Sequence, residues 1–180
     1  MTVTGELVRE HQIIERVLQA LQRCVRQAEA GGEVPVARLR AIVTFSRSFI
    51  DRCHHGKEEQ CLFPCLERLG VPREGGPIGV MLQEHEMGRR LVAQIATALD
   101  SYEAGAAGAE VVLEPCRRYG ELLGQHIFKE NNILFPMGES LMTEEDQDEN
   151  RRCFHAREEA LGPGEHQRLT ALGEELAGDP

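Results

Sequence analysis

Apolar residues recur along this chain with the period of α-helices, and polar breaks divide them into six runs. In the first, about 5–30, Leu7, His11, Ile14, Leu18, Leu21 and Val25 follow at spacings of 4, 3, 4, 3 and 4, one stripe of a helix. Gly31-Gly32 ends it, and Pro35 suits the first position of the next. The second run, about 36–69, carries Val43, Ile50, His54, Glu58, Cys61 and Cys65 on one face, with Pro64 expected to kink or weaken its end. Val71-Pro72 and Glu74-Gly75-Gly76-Pro77 form a loop. In the third run, about 77–103, Ile78, His85, Val92 and Leu99 keep a seven-residue period, joined by Met81 and Ile95. A break over 105–108 leads to the fourth, about 109–138, with Val112, Tyr119, Leu122, His126, Glu130, Ile133 and Met137 expected inward. Thr143 to Asp146 reads as a helix cap for a fifth run ending near Leu161. Gly162-Pro163-Gly164 separates it from a short sixth, about 165–177. No strand pattern occurs, so the chain is predicted to be all-α.

Two of these runs repeat one motif. His54 to Pro64 reads HHGKEEQCLFP and His126 to Pro136 reads HIFKENNILFP. His126, Glu130 and Pro136 follow His54, Glu58 and Pro64 at a constant offset of 72. Upstream, Glu10-His11 and Glu84-His85 echo each other at an offset of 74. The order is therefore His, HxxxE, His, HxxxE. Side chains four apart on a helix share a face, roughly 6 Å apart, so each imidazole and carboxylate can aim at one point. A single such pair is most simply a solvated ion pair, but two copies at constant offset, each followed by Leu-Phe-Pro, point to metal ligation. Four imidazoles and two carboxylates suit iron, manganese or zinc, and shared carboxylates suit a dinuclear centre in a helical bundle.

Composition narrows the setting. The formal charge of −10 argues against nucleic acid or an anionic membrane as partner. No apolar run approaches the roughly 20 residues that span a bilayer, and the N-terminus lacks a secretory pattern. A cytoplasmic protein with reduced cysteines is expected. Lys57 and Lys129 are the only lysines, which reads as compositional bias. Aromatic residues make up 4%, so the core must be built of aliphatic side chains.

On the six-part ligand pattern the chain resembles the bacterial hemerythrin-like proteins, the hemerythrin HHE cation-binding domain family, over roughly residues 8–140. The resemblance implies an antiparallel up-down four-helix bundle over 1–140, with a helical extension over 141–180 packed on it. It also implies His11, His54, Glu58, His85, His126 and Glu130 as ligands of two non-haem iron ions, bridged by oxo or hydroxo groups and by both carboxylates. Zinc or manganese is compatible with the same donors.

The chain departs from the oxygen-carrying members at two places. Arg89 stands where they place a second His on the third helix. Asn131 stands where their final Asp lies, with Glu130 one residue earlier. With four His, one coordination position is expected to be open or filled by water, which puts reversible oxygen carriage in doubt. Arg89 either reaches the site, to stabilise a bound anion, or pairs with a surface carboxylate. Exposure to air is expected to oxidise the ferrous protein irreversibly. The reading is a non-haem di-iron protein that binds or senses dioxygen, nitric oxide or iron, with a small diatomic or peroxide ligand. The alternative is a di-iron oxidoreductase consuming peroxide or nitric oxide. Ferritin-like enzymes use paired Glu-x-x-His, of which Asp51-x-x-His54 is a single echo. Zinc proteolysis would need HExxH, which Arg89 breaks.

Other residues are ambiguous from sequence. His55 and Glu59 point about 100° away from the ligand stripe if the helix is regular, as surface groups or as supports for ligand imidazoles. Cys61 and Cys65 read as buried hydrophobes, or as a redox pair or soft ligands. Tyr119 hydrogen-bonds near the site or packs. His155 and His166 read as solvated.

Overall fold

The computed structural model of the protein describes residues 2–178. Among them the first long helix is α1, Val3–Glu29, capped by the Thr2 hydroxyl accepting from the Gly5 amide. The second is composite: α2, Val36–Phe45, passes through π-helical turns at Ser46–His55 and Glu58–Leu62 into α3, Phe63–Arg68. The third is α4, Pro77–Glu103. The fourth is again composite: α5, Ala109–Lys129, a π turn at Glu130–Leu134, and α6, Phe135–Leu141. Short loops join the four, so successive helices run antiparallel as an up-down bundle. Two further helices, α7 (Glu144–Leu161) and α8 (Glu165–Ala177), fold back on it. Thr143 and Asp146 form the expected capping box of α7.

The prolines account for the π turns at Glu58–Leu62 and Glu130–Leu134. Pro64 and Pro136 lack an amide hydrogen, and each ring would press on the carbonyl four residues back. A turn with i→i+5 bonds moves that carbonyl aside. The bonds that do so are Phe63 N–H to Glu58 O and Phe135 N–H to Glu130 O. The helix therefore runs on through each Leu-Phe-Pro, widening at the motif carboxylate.

Two apolar cores flank a polar layer. One is built around Leu21, Phe45, Phe49, Leu99 and Leu123. The other holds Leu7, Leu62, Phe63, Ile78, Phe135 and Phe154. Every motif His and Glu lies between them. The tail closes one side. At Gly173 an added Cβ would come within 2.6 Å of Ile13 and 2.7 Å of Phe45, so only glycine lets α8 approach this closely.

Two expectations are corrected. Ile133 and Met137 are 52% and 38% exposed, because the π turn at 130–134 rotates them out of the inward stripe. The cysteines are not all reduced. Cys61 and Cys153 form a disulfide across 92 residues, because α7 crosses the π turn at 58–62 with the two Cα atoms 5.9 Å apart. Cys61 is thus neither a metal ligand nor the redox partner of Cys65. Cys24, Cys53, Cys65 and Cys116 are free and buried. Chain entropy for a loop this long predicts that Cys153→Ser costs about 4–5 kcal/mol at most, on the order of 10 °C in melting temperature for a chain of this size. Calorimetry with and without reductant checks this; an unchanged midpoint would refute the bond as a stabilising element.

Candidate metal centre

The polar layer brings all six sequence-derived residues together. His11, His54, His85 and His126 are at most 1% exposed, and Glu58 and Glu130 are fully buried. The imidazoles form two facing pairs, with Nε2 atoms 2.9 Å apart for His11 and His54 and 3.2 Å for His85 and His126. Each carboxylate spans the pairs. Glu58 lies 3.4 Å from His54 through Oε1 and 3.4 Å from His85 through Oε2. Glu130 Oε2 lies 3.2 Å from His11 and 3.3 Å from His126.

The outward nitrogen of every one of these imidazoles has an acceptor. His54 Nδ1 meets Glu10 at 2.8 Å, His126 Nδ1 meets Glu84 at 3.0 Å, His85 Nδ1 meets Glu59 at 2.7 Å, and His11 Nδ1 meets Asn131 Oδ1 at 2.7 Å. An Nδ1–H donating outward leaves a neutral ring's Nε2 as a bare lone pair. Facing Nε2 atoms then repel unless a proton or a metal cation lies between them.

Charge points the same way. Glu10 has Lys57 at 2.7 Å, Glu84 has Lys129, and Glu59 has Arg89 at 2.5 Å. Glu58 and Glu130 have no such partner, and none of their four oxygens has a hydrogen-bond partner. Two uncompensated buried carboxylates cost several kcal/mol each. Burial lowers the pKa of His126, yet the charge and close approach of Glu130, the hydrogen bond to Glu84 and the charge of Glu58 raise it to about 10. Burial likewise lowers His11, while Glu130 and Glu58 raise it overall. Burial raises Glu130, but His126 and His11 hold it well below the usual carboxylate range. The layer attracts positive charge, and its donors fit divalent metal ions.

A cavity of about 240 Å³ opens beside the His85–His126 pair. Ile50, Val92, Leu122, Leu123 and Tyr119 give it apolar walls, and His55, Asp51 and Arg89 line its polar side.

The profile of the hemerythrin HHE cation binding domain matches residues 2–138. The chain belongs to that family. It is 26% identical over 144 residues to an uncharacterized protein of Mycobacterium tuberculosis, covering 79% of this chain and 56% of that protein. Over 86 residues it is 37% identical to the iron-sulfur cluster repair protein DnrN of Neisseria gonorrhoeae, 46% of this chain and 54% of that one. Over the same length it is 35% identical to the iron-sulfur cluster repair protein YtfE of Yersinia pestis, 46% of this chain and 39% of the relative. The chain spans about half the length of the curated relatives it matches, 56% of the mycobacterial one. No solved structure matches it.

This hemerythrin HHE chain holds more at its centre than the sequence motif names. His55 is 5% exposed and stacks on His85 with ring centroids 3.7 Å apart. A π turn rotates successive side chains by less than the roughly 100° of an α-helix, so His54, His55 and Glu58 all face inward. Glu59 supports His85, and Arg89 donates to Glu59 and to Asp51. Arg89 thus acts on the centre through Glu59. Lys57 and Lys129 are matched supports of Glu10 and Glu84, not compositional bias. The signal was that each stands three positions after its motif His, at the same offset as the motif itself. Lys57 is fully buried and also reaches Glu6 at 3.1 Å and Glu158 at 2.5 Å. His166 is not simply solvated: from α8 it meets Glu10 at 2.9 Å, linking the tail to His54. His155 is exposed, as expected from its place outside the repeat.

Proposed function

We propose that the chain is a non-haem di-iron protein that binds or senses a small ligand, dioxygen or nitric oxide, at the ion held by His85 and His126. His11 and His54 would hold one ion and His85 and His126 the other, with Glu58 and Glu130 shared. The observation that carries this reading is the pair of facing Nε2 atoms whose tautomers are set by outward acceptors. The cavity supports ligand entry at one ion only, since His85 and His126 line it while His11 and His54 do not. Iron supplies redox-active ligand binding when present. The protein's own groups orient the imidazoles, seal the His11–His54 side under the tail, and keep an apolar approach on the other.

Protein produced with ample iron is expected to approach two equivalents per chain and to show a visible absorption band that azide shifts. A well-folded product with one zinc ion and no iron would overturn the reading. The printed names of the Neisseria and Yersinia relatives favour a second reading, in which the bound iron serves the repair of iron-sulfur clusters. Restoration of a damaged cluster protein by the iron-loaded chain, absent with the apo chain, distinguishes the two.

A further inference from the structure

We propose that His55 is a fifth imidazole ligand, bound to the ion of the His85–His126 pair. The inference rests on the two-ion reading above and adds a residue outside the repeated motif.

Among the described residues, His55 is the one buried imidazole of the layer with nothing to do. Neither ring nitrogen has a hydrogen-bond partner. Its nearest carboxylate, Asp51, lies 3.8 Å from Nδ1 and already accepts from Arg89 at 2.7 Å. A buried polar atom without a partner is unfavourable, and His55 has two. A neutral imidazole always offers one lone pair. One ring nitrogen of His55 lies with donor atoms of Glu58, His85 and His126 inside a sphere where all are within 4.8 Å of one another.

The His55 and His85 planes are 13° apart with centroids 3.7 Å apart, so a single ion in both ring planes requires the His55 ring to turn out of the stack as the ion binds. Sequence symmetry isolates the residue. Its counterpart in the second copy of the motif is Ile127, which is buried and apolar. The first half therefore contributes one more donor than the second, and the two ions become inequivalent: three imidazoles at the cavity side, two at the side under the tail. The position opposite Arg89, expected to lack an imidazole, is supplied from the second helix instead.

Apo protein titrated with Co(II) tests this. Wild-type protein labelled with ¹⁵N-histidine and loaded with Co(II) is expected to show five directly bonded imidazole nitrogens, those of His55 and the four motif His residues. Four would overturn the proposal, and this count needs no variant. His55→Phe keeps a ring to stack on His85 but has no donor. It is expected to weaken binding of one Co(II) equivalent by about 100-fold or more, beyond the 10–100-fold typical of lost supporting contacts, and to leave the other unchanged. In His55→Ala, added imidazole is expected to restore the wild-type visible spectrum. Unchanged Co(II) affinity in His55→Phe would show a packing role and overturn the proposal. Two bound ions with four bonded nitrogens sink this inference alone, whereas failure to bind a second ion sinks the two-ion reading with it.

Discussion

Glu58→Ala and Glu130→Ala are each expected to abolish binding of the ion pair, while Glu59→Ala leaves both ions bound with about 10–100-fold weaker affinity. Glu58 reaches both imidazole pairs, one oxygen to His54 and the other to His85. Glu130 reaches both through Oε2, to His11 and His126. Removing either takes a shared anionic donor from two ions at once and leaves one negative charge to hold two cations. Glu59 acts one step away, accepting from His85 Nδ1 and from Arg89. Its loss frees the His85 ring to turn but removes no inward donor. Metal content after exhaustive dialysis, measured on all three variants, decides the matter. Equal loss in all three would mean that the carboxylates act only as a general negative field, and the bridging assignment would fall.

Removing the metal from the intact protein is expected to lower its melting temperature by on the order of 10 °C or more. Without ions, Glu58 and Glu130 sit in the closed layer with four unpartnered oxygens, each costing about 1–3 kcal/mol unless protons move onto the imidazoles. Binding to the native state alone adds about 2.7 kcal/mol per site at 100 times the dissociation constant. At about 2–4 °C per kcal/mol for a chain of this size, the two effects together reach the stated shift. Calorimetry of iron-loaded and chelated samples at equal concentration reads it directly. An apo protein with the same midpoint would mean that the layer is satisfied by protons, and that metal is incidental to the fold.

The helical frame and the family were legible in the sequence because both rest on spacing. Apolar positions at 3 and 4 marked the helices, and the constant offset between the two motifs marked two copies of one device. The misses share a cause, which is that the helices are not regular at the motif. Treating 46–55 and 130–134 as α-helix put His55 off the ligand face and Ile133 on it, and the π turns reverse both. For Ile133 the clue was Pro136, since a proline inside an uninterrupted stripe requires the preceding turn to yield. The Cys61–Cys153 bond and the His166–Glu10 contact depend on where the tail crosses the bundle. No local pattern encodes that path.

The supports of the centre cross between the two copies. Glu10 holds His54 and Glu84 holds His126, each within its own half. But Asn131 holds His11 and Glu59 holds His85, and these two acceptors are themselves counterparts in the repeat. Neither half can orient both of its imidazoles alone. Two separate chains of half this length, associating about a two-fold axis, would build the same centre, and its occupancy would then depend on their concentration. Joining them through the loop after Gly70 makes assembly unimolecular and fixes the ratio at one to one. It also releases each copy from being identical to the other. His55 where the other copy has Ile127, and Cys61 where it has Ile133, are differences that only a fused pair can keep, since in a homodimer every change would appear twice.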